Sequence, residues 1–495
     1  MSFEKTLTTP NGIKYTQPTG LFINGEFVAS KSGKTFESIS PATEEVITEV
    51  QYANAQDVDA AVDAAEAAQE AWGEMDPDER ATYMFKLASA LEEKYELLAA
   101  IDSWDNGKPY SAAKGDAQAV ARIFRNYAGW ANKNHGDVIE TDNNHFSYTR
   151  HEPVGVCGMV IPWNYPLLML SWKIAPAMAC GNTSILKAAE STPLSALVFA
   201  KICQEVGIPK GVVNILTGFG DAGAAIANHD RIMKVAFTGS TATGRKIMEC
   251  SAKTNLKKIT LELGGKSANI VFDDADIDNA IESTLNAIFS NQGEVCCAGS
   301  RLLLQEGIYN KFLKLLAERA EKLKVGDPFD ENVYYGAQTN KIQFEKVLSY
   351  IESGKREGAR LVTGGERLGN KGYFLKPTIF ADVEDHHTIA HEEIFGPVLV
   401  VFKFKNVKEA IKLANSNAYG LAAGVHTENV SRALWVANHL RAGSVWVNTY
   451  NATHYNVPFG GYGLSGIGRE LGRDVLANYT ETKGVRIANI RKAIE

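Results

Sequence analysis

The chain has 495 residues, 45% hydrophobic and 22% charged, with 43 glycines and 15 prolines; that is too long for a lone binding module, too ordinary for a disordered, collagenous or coiled-coil protein, and enough for about two to four domains. Its 58 acidic against 51 basic residues leave a formal charge of −7, with no long Lys or Arg run, so nucleic acid and anionic membrane surfaces are not expected partners. Six dispersed cysteines, Cys157, Cys180, Cys203, Cys250, Cys296 and Cys297, lack a C-x-x-C and suggest a reducing compartment. The polar N-terminus has neither an apolar h-region nor an Arg, so a cytoplasmic location is expected.

Asn54 predicts an N-cap for a helix whose Val58, Val62, Ala65 and Trp72 recur at helical spacing, with Gly73 as its stop. Asp76, Pro77 and Glu79 offer a cap, a first-turn proline and an acidic third position, opening a second long helix to about Ala99. Two helices therefore precede the sheet signals. Residues 135–153 are polar and strand-rich. Residues 154–172 are uncharged, but Pro162, Asn164 and Pro166 interrupt them and Lys173 closes them, which predicts strand, turn and helix in a buried core rather than a membrane span.

From residue 155, short apolar runs at 156–161, 184–187, 212–216, 235–238 and 259–263 alternate with helical segments at 195–205 and 220–228. That alternation indicates a mostly parallel sheet in an α/β fold. A second α/β series begins near Ser267, with a helix at 310–323 and strands near 398–404 and 443–448; two lobes are expected rather than one very wide sheet. The basic tail 484–495, with alternating Val485, Ile487 and Ile490, pairs with 135–153 either as an oligomerisation sheet or as a simple surface hairpin.

Two glycine-rich turns follow predicted strands and open helices, the setting in which a helix N-terminus and bare backbone hold phosphate. One, with Gly218, Gly220 and Gly223, matches G-x-G-x-x-G literally but lacks an acidic residue about twenty positions on. The other contains Gly239, Ser240 and Gly244. Either can equally be an ordinary strand-to-helix turn. Cys296 and Cys297 follow a helix-like apolar run in a small-residue segment. A thiol near pKa about 8.5 needs a dipole or a base to become a nucleophile, and is otherwise an inert buried group. Glu262, between Leu261 and Leu263, is either a desolvated general base or a side chain turned to solvent by strand alternation. His386, His387 and His391 carry no completed H-E-x-x-H, so no metal site is expected.

Taken in order, seven segments resemble the aldehyde dehydrogenase superfamily over nearly the whole chain: 161–166 with Trp163 and Asn164, 186–190 with Lys187 and Glu190, 237–240, 261–266 with Glu262, 293–296 with Cys296, 392–397 with Glu393 and Phe395, and 458–461 with Phe459. Within the superfamily the chain is similar to the fungal cytosolic branch that oxidises acetaldehyde and other small aldehydes with NAD(P). The resemblance implies a Rossmann-like cofactor domain over 1–133 and 153–265, an α/β catalytic domain over 266–465, and a small β oligomerisation element from 134–152 and 480–495, joining a homodimer or homotetramer.

The resemblance also implies the roles. Cys296 is the nucleophile, the Asn164 amide and the Cys296 backbone N–H stabilise the oxyanion, Glu262 activates the hydrolytic water, and Glu470 relays its proton. Ile161, Trp163, Lys187, Glu190, Gly239, Ser240, Leu263, Gln343, Lys346, Glu393 and Phe395 hold the cofactor, with Ser240 rather than the literal Gly218 motif at the pyrophosphate. Tyr165, Met169 and Trp172, at helical spacing after Pro166, line an aldehyde channel with Phe459. Glu190 would repel the 2′-phosphate of NADP by about 4 kcal/mol at about 4 Å and an effective dielectric near 20, so NAD is the expected cofactor and NADP the weaker one. Three positions depart from common relatives: Gly463 stands for Lys, Ala188 for Pro and Glu294 for Gln. CoA-acylating and amino or betaine aldehyde dehydrogenases, and a non-catalytic structural or stress protein of the same fold, are the alternatives.

Overall fold

The computed structural model describes residues 3–488. Two large sheets dominate, one of eight strands and one of seven, as the two α/β series predict. The first runs in the order Gly466–Ile467, Lys258–Glu262, Lys234–Thr238, Val156–Val160, Thr183–Ala188, Val213–Thr217, Leu21–Ile23 and Glu26–Val28. Its five central strands are parallel. From the middle strand Val156–Val160 the chain winds outward through 183–188 and 213–217, then returns to add 234–238 and 258–262 on the other side. The crevice between the ends of Val156–Val160 and Lys234–Thr238 is thus a topological switch point, where ligands of open α/β sheets bind.

Strand alternation divides the core into layers. Ile185, Leu216 and Val235 pack with the helices Ala55–Glu74 and Gly220–Asn228, whereas Leu186, Ile215 and Ala236 belong to the cluster of helices Pro166–Ala179 and Leu194–Glu205. The second sheet is ordered Arg360–Thr363, Thr378–Ala381, Val398–Phe404, Arg301–Gln305, Ala268–Val271, Ala422–His426 and Ser444–Val447. It is parallel except at its first pair. The strand Gly466–Ile467 carries the chain back to the first sheet, pairing Gly466 with Glu262.

The helix starts are as the sequence predicts. Asn54 and Asp57 form a reciprocal capping box, and Asp76 caps the helix that Pro77 begins. The lengths differ. The first helix passes Gly73 and ends at Glu74. The expected helix to Ala99 instead breaks at Lys94 (φ −104°, ψ 12°), giving Pro77–Glu93 and Tyr95–Asn106. Both pieces bury apolar faces, so one continuous period hides the kink. A fourth helix, Tyr110–Ala128, and six short strands before residue 52 also come ahead of strand Val156–Val160, two of them, Leu21–Ile23 and Glu26–Val28, forming the edge of the first sheet; those strands are too short to show a clear period.

Residues 154–172 form strand, turn and helix, and among the described residues no helix is long and apolar enough to cross a membrane. Thr480–Ala488 pairs antiparallel with His145–Pro153, which also pairs Val138–Ile139. Val138, Phe146 and Ile487 stay exposed on this three-stranded sheet. The expected continuation through Ile490 to residue 495 lies outside the described residues.

Candidate active site

Strand Val156–Val160 ends in a turn that carries Trp163 and Asn164, and Pro166 opens the next helix. Asn164 is buried, and its Nδ2 donates to the Glu294 carbonyl at 2.8 Å. One of its two amide hydrogens remains for another acceptor. Opposite it, the chain after helix Ile277–Phe289 makes an unusual turn: Asn291 (φ 48°), Gln292 (φ 53°) and Gly293 (φ 74°) are all left-handed. Such backbone costs about 1 kcal/mol or more at each non-glycine residue and is kept only where its surroundings fix it. At Gly293 an added Cβ would sit 2.2 Å from the Gly396 backbone. The turn delivers Cys296 partly exposed at the cavity wall and leaves Cys297 buried.

That cavity, about 560 Å³, brings together Cys296, Asn164 and Glu262 with Tyr165, Met169, Trp172 and Phe459. The Trp172 and Phe459 rings meet edge-on at 5.3 Å. The Cys296 thiol is held above its ordinary value, first by a hydrogen bond with the Cys297 thiol and then by burial. Burial pushes the Glu262 carboxyl well up, aided by Cys296 and Glu470, and its Oε1 has no hydrogen-bond partner among the described residues. Strand alternation alone favours turning Glu262 to solvent; it is instead buried, in a strand paired on that side with Gly466–Ile467.

Glu470 does not line this cavity. It lies beneath, accepting from Lys173 Nζ at 2.7 Å, and the same ammonium donates to Thr238 Oγ1 at 2.7 Å. In the sequence Lys173 stands only as the charge that ends an apolar segment. The signal available in the sequence is a lone charge one turn beyond Met169 in an otherwise uncharged helix.

A second cavity, about 340 Å³, shares Pro162, Trp163, Thr238, Gly239 and Ser240 with the first. Ile161, Lys187 and Glu190 line it. Lys187 Nζ lies 3.2 Å from Glu190 Oε2, and burial lowers the Lys187 ammonium below its usual value. Ser240 caps helix Thr241–Lys253 through the Thr243 N–H. The literal glycine motif contributes wall only: Gly220 and Gly223 line the groove, and Phe219 caps its helix without a side-chain bond.

At the other end of the first cavity stand Leu263, Gln343, Lys346, Glu393 and Phe395. Glu393 Oε1 accepts the Gly265 N–H at 3.0 Å, and burial raises its carboxyl. Gln343 Nε2 donates to the Phe395 carbonyl at 2.6 Å, so this amide props the 394–395 loop. Phe395 is left-handed (φ 60°), its ring edge-on to Trp163 at 5.3 Å. Leu168, Asn451 and Thr453 also line the cavity and were not singled out from sequence. Among the departures, Gly463 is left-handed at φ 57° with the Ala418 carbonyl 2.6 Å from an added Cβ, and Ala188 is buried at a strand end. His387 spends its nitrogens on the Glu384 N–H and the Glu357 carbonyl.

The two joined cavities have the elements a dinucleotide needs: a capped helix N-terminus beside bare backbone at Gly239, and a carboxylate at each end, Glu190 and Glu393. The model of the aldehyde dehydrogenase family matches residues 27–485. The chain is 56% identical over 482 residues to an aldehyde dehydrogenase of Aspergillus niger, covering 97% of each, and 50% identical over 473 residues to one of Agaricus bisporus, covering 95% of each. It superposes with a TM-score of 0.94 on the NAD+ complex of an aldehyde dehydrogenase from Bacillus cereus, at 51% identity, covering 95% of this chain and 96% of that one.

Proposed function

Given that the chain belongs to the aldehyde dehydrogenase family, we propose that it oxidises small aliphatic aldehydes, such as acetaldehyde, to carboxylates with NAD, through a covalent intermediate on Cys296. The observation that carries this reading is the convergence of Cys296, Asn164 and Glu262 on one cavity continuous with the nucleotide groove.

The Cys296 thiolate adds to the aldehyde carbonyl, and the tetrahedral oxygen takes hydrogen bonds from the free Asn164 amide hydrogen and the Cys296 backbone N–H. One such donor is worth about 3 kcal/mol, a hundredfold or more in rate. When bound, NAD would supply the hydride acceptor by which the Cys296 adduct becomes a thioester. Gly239 and Ser240 would hold its pyrophosphate, Lys187 and Glu190 its adenine ribose, and Glu393 its nicotinamide ribose. Glu262 then takes a proton from water as the water attacks the thioester; its unbonded oxygen and raised affinity for protons suit a general base. Glu470, fixed by Lys173, receives that proton. The carboxylate leaves and the thiol is restored. Trp172, Phe459, Tyr165 and Met169 give the channel an apolar wall for uncharged substrates.

The same reading divides the chain into an NAD-binding domain (1–133 and 153–265), a catalytic domain (266–465) and an oligomerisation element (134–152 and 480–495) in a cytoplasmic homo-oligomer. The exposed Val138, Phe146 and Ile487 on the three-stranded sheet support the last part. Steady-state kinetics over aliphatic, aromatic and amino aldehydes, each with NAD and NADP, test the function. Preference for short aliphatic aldehydes with NAD is expected. Acyl-CoA formation on adding CoA, or activity unchanged in Cys296→Ala, would overturn it.

A further inference from the structure

Glu294 lies two residues before Cys296, is wholly buried, and has no part in the chemistry above. A buried ionisable group is costly unless its bonding is complete, so its place in this turn calls for a reason. Burial pushes its carboxyl up to about 8, against the pull of its hydrogen bonds and of Lys108.

Its two ends hold different things. In the side chain, Oε1 accepts the Thr339 N–H at 3.0 Å, while Oε2 lies 2.8 Å from Thr339 Oγ1 and 3.3 Å from Gln292 Nε2. The Thr339 hydroxyl also accepts from Asn106 Nδ2 at 3.2 Å, and that amide donates to the Trp163 carbonyl at 2.8 Å. In the backbone, the Glu294 carbonyl accepts Asn164 Nδ2 at 2.8 Å and Asn291 Nδ2 at 3.2 Å, and Asn291 Nδ2 bonds back to the Asn164 carbonyl at 3.1 Å. Three segments distant in sequence meet on this one residue.

We propose that Glu294 is a positioning residue that sets the Asn164 amide and the Cys296 thiol relative to one another, its carboxyl anchoring the left-handed 291–293 turn to Thr339. The proposal rests on the reading of Asn164 as the oxyanion donor. Charge is not what the position requires. A glutamine there keeps an oxygen for the Thr339 N–H, and its amide meets Gln292, whose Oε1 has no partner among the described residues and can turn to accept. An alanine leaves the Thr339 N–H and the Gln292 amide without an acceptor, and the strained turn is free to relax.

The test compares wild type, Glu294→Gln, Glu294→Ala, Asn164→Ala and the Glu294→Ala/Asn164→Ala double variant, using propionaldehyde at saturating NAD. Glu294→Gln should keep kcat within about threefold. Glu294→Ala should lower kcat about tenfold or more while the Kd for NAD changes less than about twofold, and the double variant should be little worse than Asn164→Ala, because the two act along one path. Additive losses, unchanged kcat in Glu294→Ala, or equal damage in Glu294→Gln would overturn it. If Glu294→Ala does not fold, Thr339→Val takes its place, with a smaller kcat loss that must vanish in the Asn164→Ala background. Alkylation of Cys296 by iodoacetamide needs no substrate: its rate should shift more than about threefold in Glu294→Ala or, failing that, Thr339→Val, and stay near wild type in Glu294→Gln. Wild type inactive on every aldehyde would strike the parent reading alone, since the alkylation result still stands for or against the anchor.

Discussion

Lys173 Nζ holds Glu470 Oε1 at 2.7 Å beneath the cavity floor, in a pair with almost no exposed surface. Removing one partner of a buried ion pair leaves the other charge uncompensated, typically at a cost of about 3–5 kcal/mol. Lys173→Met should therefore unfold at markedly lower denaturant concentration than wild type, and Glu470→Gln, which keeps an acceptor, should lose less. Equal stability of Lys173→Met and wild type in a urea titration would contradict the role given to the pair.

The bond between the two adjacent thiols raises the Cys296 thiol. Cys297→Ala removes that contribution, so Cys296 should ionise at lower pH and react faster with iodoacetamide at pH 7, while aldehyde turnover stays within about threefold of wild type. Cys296→Ala should form no NADH from aldehyde yet still bind NAD. A dead Cys297→Ala with an active Cys296→Ala would reassign the nucleophile.

Burial raises the Glu262 carboxyl well above its ordinary value. Between the unfolded and folded pKa the native state binds more protons than the unfolded one, so stability falls as pH rises through that window. Glu262→Gln removes the effect and should melt higher than wild type at neutral and alkaline pH but not near pH 4. Its kinetics should show a burst of NADH followed by slow turnover. A wild-type steady-state rate in this variant would remove Glu262 from the base role.

A Cβ added at Gly264 would lie 2.2 Å from Glu393 Oε2. Gly264→Ala should push that carboxylate out of the cavity and raise the Kd for NAD about tenfold or more, measured by quenching of protein fluorescence, with little change in melting temperature. Unaltered NAD affinity would mean that Glu393 does not hold the cofactor.

Glu190 lines the second cavity with its carboxylate partly exposed and paired to Lys187. Exposure and the pair both weaken the repulsion of a 2′-phosphate. Glu190→Ser should raise kcat/KM with NADP by about tenfold and lower it with NAD; no change in the NADP to NAD ratio would place selectivity elsewhere.

The alternating apolar runs from 156 to 262 and the caps at Asn54 and Asp76 are local chemistry, legible in the sequence because period and capping depend on near neighbours. The motifs around Cys296, Glu262 and Asn164 were legible too, as strings whose resemblance supplied their roles. Less visible were the break at Lys94, the left-handed Asn291 and Gln292, and the use of Gln343 to prop a loop. None of them leaves a local signal of period or capping in the sequence.

Sequence by itself determined the α/β class, because alternation and residue type carry it, and its resemblance to a family named the candidate reactive groups. Only the tertiary structure decided what state those groups are in. Glu262 is a strand residue that alternation would expose, yet in the folded chain it is buried and its carboxyl is raised by that burial. Lys173 and Glu470 are 297 positions apart, and Asn164 and Glu294 are 130 apart; no periodicity reaches across such distances. Burial and partner choice are properties of the packed chain, and here they set Cys296 at a cavity wall and leave the buried Glu262 carboxyl with an unbonded oxygen.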